Sequence, residues 1–225
     1  MKSNILSVDE KNKLKENVKK AYRESIHLDK NGVYRGHAPS LCSVVENLIC
    51  YYIKEILGDN YTYYIDSTIA KECTHNGKII RPDILIADKN SVIQFIVEVK
   101  ANSGWIRKID EKYKNKLKDD YNMFKQNDKK IITKYWQYNE NKEGFAEDKV
   151  IELKANKKAK YLYVVLTSGN ASTKEHIYNY KTLRDININY YILFEGWYYN
   201  LKEIENQELE KYHMLIDDFE KQFRI

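Results

Sequence analysis

Apolar residues along this chain return first at helical spacing, then give way to stretches rich in β-branched and aromatic residues. Leu14, Val18, Tyr22 and Ile26 recur every four residues, which predicts a polar helical lead-in over residues 1–35, broken at Asn31-Gly32. Leu41, Val44, Val45, Leu48, Ile49, Tyr52, Ile53, Ile56 and Leu57 form a broad stripe, predicting a helix over 40–57 that stops at Gly58. Three strands are expected next: 61–73, a hairpin turn at Asn76-Gly77, 78–87, a second turn over 88–91, and 92–101. These read as an antiparallel meander. A long helix over about 105–126 follows, with Ile106, Ile109, Tyr113, Leu117, Tyr121 and Phe124 on its buried face. Residues 127–157 give no clear pattern. The run Tyr161–Thr167 predicts a buried strand, then a helix near 171–183, a strand over 186–195 and a closing helix over 201–224. The order points to an α/β sandwich with a mixed central sheet flanked by helices.

Composition narrows this picture without changing it. The chain has 225 residues with only 2 Pro and 8 Gly, so a single domain over 1–225 is expected, without long flexible linkers. The 20 Tyr stand beside abundant Lys, Ile and Asn, a mixture that an AT-rich genome encodes, and they are not read as a stacking platform. Three cysteines without C-x-x-C spacing exclude a structural zinc or four-cysteine cluster and suit a reducing, cytoplasmic setting. No signal-peptide core and no apolar run long enough for a membrane span occur, so no membrane partner is expected. The formal net charge is +5, and its distribution is more telling than its size. Between Lys100 and Lys130 there are ten basic against five acidic residues, and Lys154, Lys157, Lys158 and Lys160 form a second cluster. The five histidines show no ligand spacing, and the chain has neither a G-x-x-x-x-G-K-[ST] loop nor a G-x-S-x-G elbow.

Chemistry enters where charge interrupts two apolar strands: Pro82-Asp83 before Ile84-Leu85-Ile86-Ala87, and Glu98 and Lys100 at the end of Val92-Ile93-Gln94-Phe95-Ile96-Val97. Charges inside a core are costly unless they are paired or bound to a metal. A turn centred between Asn90 and Ser91 pairs residues whose numbers sum to 181. That register puts Asp83 across from Glu98, with Cβ atoms about 4.5–5.5 Å apart. Lys100 shares their face, and Ile84, Ile86, Phe95, Val97 and Val99 pack the other. Opposed carboxylates repel, and a hard divalent cation such as Mg²⁺ removes the penalty. Lys100 could then orient or deprotonate an attacking water, or stabilise charge on a phosphorane-like transition state.

Pro82-Asp83, fourteen intervening residues and Glu98-Val99-Lys100 resemble the P-D…(D/E)-x-K signature of the restriction-endonuclease-like superfamily. The predicted elements over roughly 40–168 resemble its α-β-β-β-α-β core. Residues 1–39 then form a lead-in, and 169–225 a possible recognition or dimerisation part. The resemblance implies Mg²⁺-dependent hydrolysis of phosphodiester bonds, with Mn²⁺ as a substitute ion. It implies metal ligation by Asp83, Glu98 and the Val99 carbonyl, and by a glutamate on the first core helix, for which Glu46 stands in the right place. Ser43-x-x-Glu46 equally fits a helix capping box. Gln94 reads as a sheet-surface residue. Ser103, Lys108, Lys112 and Lys116 are candidate contacts to double-stranded DNA, and an exposed helix face is the alternative for each lysine. Within the superfamily a type II restriction endonuclease is the leading expectation, acting as a homodimer because a symmetric duplex cut needs two centres. A junction-resolving or repair nuclease is one alternative, and a catalytically silent nucleic-acid-binding module is another. No Q-x-x-x-Y arrangement follows the third strand, unlike some exonuclease branches.

Overall fold

A computed structural model describes residues 8–26, 41–70, 80–102, 108–125, 129–138, 146–169 and 171–224. Its centre is a five-stranded mixed sheet in the order β1-β3-β4-β7-β8. The strands are β1 (Tyr61–Ile65), β3 (Ile84–Asp88), β4 (Ile93–Asn102), β7 (Lys160–Thr167) and β8 (Ile188–Phe194). β1, β3 and β4 are antiparallel neighbours, as the expected meander requires, and β4, β7 and β8 run parallel. A second sheet in the order β2-β5-β6 joins β2 (Thr68–Ile69), β5 (Lys130–Tyr138) and β6 (Ala146–Lys154).

Both faces of the central sheet are covered. One face carries Ile84, Ile86, Phe95, Val97, Val99, Leu162, Val164 and Leu193. Against it pack α1 (Val8–Ile26), α2 (Cys42–Leu57) and α6 (Ile216–Lys221). The other face carries Leu85, Ile96, Tyr161, Tyr163, Val165, Tyr190 and Ile192. It meets α3 (Glu111–Phe124), α4 (Thr173–Arg184) and the second sheet through Ile69, Ile131 and Leu153. A sheet covered on both faces needs continuous apolar strands, and β7 is accordingly buried from Tyr161 to Thr167.

Four expectations need correction. The strand expected over 61–73 is two strands, because Asp66 takes a left-handed φ of 47° and turns the chain from the central sheet into β2. The Asn76-Gly77 turn lies outside the described residues. The helix expected from 105 starts at Glu111: the Ile109 N–H is given to Asn179 Oδ1 (2.9 Å), and Asp110 then caps α3 by accepting from the Tyr113 N–H (2.7 Å). The closing helix over 201–224 is instead two short helices, α5 (Gln207–Glu210) and α6, separated by His213 at φ 53°. β8 is an edge strand whose outward N–H groups need acceptors, and the Met214 carbonyl serves Ile192 (2.8 Å) rather than a helix. Finally, the unpatterned 127–157 region contains the β5–β6 hairpin.

The register that matters is the expected one. Ile84–Val97, Leu85–Ile96 and Ile86–Phe95 are paired, each summing to 181. A bulge follows before Ala87–Ile93, so Ile93 and Phe95 face opposite cores. The turn is held by Asp88, whose Oδ1 accepts the Asn90 and Val92 N–H groups, while Gln94 donates to its Oδ2 (2.9 Å). Gln94 is thus a structural residue of the sheet, as expected. No helix among the described residues is long and apolar enough to cross a membrane.

Candidate active site

Three charged side chains converge where β3 begins and β4 ends. Lys100 Nζ donates to Glu98 Oε1 at 2.6 Å and stands 3.6 Å from Asp83 Oδ2. It also donates to the Val99 carbonyl at 3.1 Å. Asp83 lies one residue before β3, and its Oδ2 accepts the Val99 N–H at 2.6 Å. Its main chain is pinned from the other side, since the Asp66 N–H donates to the Asp83 carbonyl at 2.9 Å. The result is a ring of oxygens around one ammonium group at the end of the sheet.

Electrostatics show what this arrangement costs. Burial, followed by the neighbouring charge of Glu98, pushes the Asp83 carboxyl up to about 7. Lys100 and the Val99 N–H pull the other way without cancelling this. Burial pulls the Lys100 ammonium down, but Glu98 and Asp83 together outweigh it and hold it above its ordinary value. The site therefore has more negative charge than one lysine neutralises comfortably.

Glu46 belongs to this field. Burial, then Asp66, raises its carboxyl, with Lys100 and Glu98 also acting on it. The capping alternative fails: α2 has Leu41 at its N-cap with no side-chain cap bond, so Ser43 lies inside the helix. Of the proposed DNA contacts, Lys108, Lys112 and Lys116 are all exposed. Lys116 Nζ stands 5.8 Å over the Tyr113 ring, close to the site, whereas Lys108 stands 5.8 Å over Tyr178 on α4. Ser103 lies outside the described residues.

Two site neighbours were missed in the sequence. Tyr113, counted there only as a buried helix position, donates its hydroxyl to Glu98 Oε1 at 3.3 Å and packs edge-on against Tyr163. Asp66 was hidden within an expected strand. Behind them Tyr163 stacks on Tyr190, whose hydroxyl meets His176 Nδ1 at 2.7 Å, so buried polar groups reach from Glu98 to α4.

The donor set fits a hard divalent cation. It consists only of oxygens, it is under-neutralised, and Mg²⁺ commonly takes one or two carboxylates and completes its shell with water and phosphate. Among the described residues no group of three or more His, Cys, Asp or Glu is arranged as a ready-made metal cage.

Residues 43–195 match NERD, the nuclease-related domain, a family of the PD-(D/E)XK-like nuclease superfamily. No curated protein and no solved structure matches the chain.

Proposed function

The chain belongs to the nuclease-related domain family, and from that premise we propose that it is a Mg²⁺-dependent endonuclease that hydrolyses phosphodiester bonds of double-stranded DNA. The observation that carries this reading is the convergence of Asp83, Glu98 and Lys100, with Lys100 Nζ 2.6 and 3.6 Å from the two carboxylates. Asp83, Glu98 and the Val99 carbonyl would hold the cation, with Glu46 reaching it directly or through water. When bound, the ion would lower the pKa of a coordinated water and draw charge from the phosphate. Lys100 is held protonated by its neighbours. That favours orienting the water and stabilising negative charge over taking a proton as a base. Asp83 and Glu98 supply the negative field that keeps the ammonium in place. Lys112 and Lys116 on α3 would receive the flanking phosphates.

Plasmid DNA incubated with Mg²⁺ tests the assignment. The wild type should cut it, and EDTA, Asp83→Ala or Lys100→Ala should each reduce cutting by at least about 100-fold, the scale of losing one positioned charge. Cutting that survives both substitutions would remove these residues from the centre. Discrete fragments would carry the type II restriction reading, with a dimer expected in solution. Preference for branched DNA would carry the junction-resolving one. DNA binding without cleavage under Mg²⁺ or Mn²⁺ would leave a silent binding module.

A further inference from the structure

Trp197, Tyr198 and Tyr199 follow one another after β8, and the chain treats the middle ring differently from its neighbours. Tyr198 is 8% exposed, whereas Trp197 is 40% and Tyr199 57% exposed. Leaving one such ring in water is ordinary for a soluble protein. Displaying two on either side of a buried anchor is less so, and the frame that displays them is stiff. The Asn200 N–H donates to the Trp197 carbonyl (2.8 Å), and Asn200 Oδ1 accepts the Trp197 N–H (2.8 Å). Reciprocal bonds between Glu195 and Lys202 close the base of the loop (2.9 Å each). Gly196 has φ 93°, and a Cβ there would lie 2.9 Å from two Asn200 oxygens, so the turn accepts only glycine.

The turn is also built into the catalytic end of the sheet. Thr167, the last residue of β7, donates its hydroxyl to the Gly196 carbonyl. The Tyr198 hydroxyl accepts from Asn102 Nδ2 at 2.9 Å. Asn102 is two positions beyond Lys100 on β4, a distance of about 7 Å along the strand. Tyr198, the anchor between the two exposed rings, is therefore tied to the end of β4 that carries Lys100, and the Tyr199 ring leans on Tyr22 of α1 at 6.1 Å.

We propose that Trp197 and Tyr199 form a stacking platform for unpaired nucleobases of the strand entering the site. The inference rests on the nuclease reading for its choice of partner, and it narrows that reading: a duplex with bases free to leave the stack, as at a flap or frayed end, gains contacts that a fully paired duplex lacks. Flat rings suit this task because every base presents a π-face, so stacking holds a strand without selecting sequence.

Fluorescence anisotropy with a labelled single-stranded oligothymidylate in EDTA separates binding from hydrolysis. Trp197→Ala/Tyr199→Ala should weaken binding at least about ten-fold, given about 1–3 kcal/mol per stacked base. Trp197→Phe/Tyr199→Phe, which keeps the rings, should restore most of it. On an abasic strand of equal length the alanine variant and the wild type should bind alike. Equal binding of the oligothymidylate by both proteins, or an equal loss on the abasic strand, would overturn the platform. Thermal melting of each variant guards against a folding defect. Failure of the wild type to bind any oligonucleotide would sink the platform together with the nucleic-acid reading. Binding with the expected defect, but no metal-dependent cleavage, would sink the nuclease reading alone.

Discussion

Glu98 is held by two partners of different kinds, a charged amine from its own strand and a neutral hydroxyl from α3. Lys100 would have to share the carboxylate with an incoming cation, but Tyr113 would not, because a phenol at 3.3 Å leaves the carboxylate charge intact and only aims it. Tyr113→Phe should therefore raise the Mg²⁺ concentration for half-maximal cleavage roughly ten-fold, as loss of an outer-shell partner typically does. The melting temperature of the metal-free protein should move little. A metal dependence identical to wild type would show that Tyr113 is only packing. Asp83 was legible in the sequence because its partner lies one hairpin away. Tyr113 was not, because nothing in residues 111–124 says which side of the helix meets a carboxylate. Its position on the apolar face was visible, and its hydroxyl's target was not.

At the scale of elements, α3 carries both Tyr113 and the lysines proposed to meet phosphate, so its N-terminal cap sets the geometry of each. Asp110 accepts the Tyr113 N–H, fixing the first turn next to the site. Asp110→Ala should lower stability by about 1 kcal/mol in chemical denaturation, the usual cost of a lost side-chain cap. If unfolding is unchanged, the cap bond carries no weight in solution. The β3–β4 hairpin, by contrast, was readable almost in full. Its turn residues, alternation and charged positions all lie within some twenty residues, and register follows from them. The exception is the bulge, which depends on Asp88 bonding back to the turn. β5 and β6 gave no pattern since their charged and apolar residues are mixed, and their pairing is set against each other and β2 rather than against a long buried face.

Over the whole molecule, the sheet separates two cores, and His176 is buried in the one behind the candidate site. Burial pushes its pKa from 6.5 down to about 4, against the opposing pull of a hydrogen bond to the Ser168 backbone and the charge of Glu175. Folding thus keeps the ring neutral, whereas the unfolded chain protonates it near 6.5. The sign follows: this contribution is intact above about pH 6.5 and is lost as pH falls toward 4, by roughly 3 kcal/mol if the full gap is expressed. Asp83, whose raised carboxyl is relieved by protonation over the same window, acts in the opposite sense, so the histidine's share is read from the difference between the wild type and His176→Gln. His176→Gln should start lower and fall less. Parallel pH curves for the two proteins would mean that the histidine does not control acid stability.

Local pattern determined the helix Cys42–Leu57, the β3–β4 hairpin and its register, the facing of Asp83, Glu98 and Lys100, and with them the chemistry expected of the site. Those features depend on side-chain periodicity and one short turn, which a sequence contains outright. The tertiary structure alone decided that Glu46 is a site neighbour and not a cap, that Tyr113 and Asp66 complete the surroundings, and that the C-terminal segment breaks into two short helices. It also singled out Trp197 and Tyr199 from a chain so rich in aromatic residues that composition could not distinguish them. Each of these depends on contacts between residues far apart in the chain: an edge strand needing an acceptor, a helix face meeting a carboxylate, a loop tied to the end of β4. Local periodicity fixes which face of an element is apolar, and only packing fixes what that face, and the polar groups at its margin, will meet.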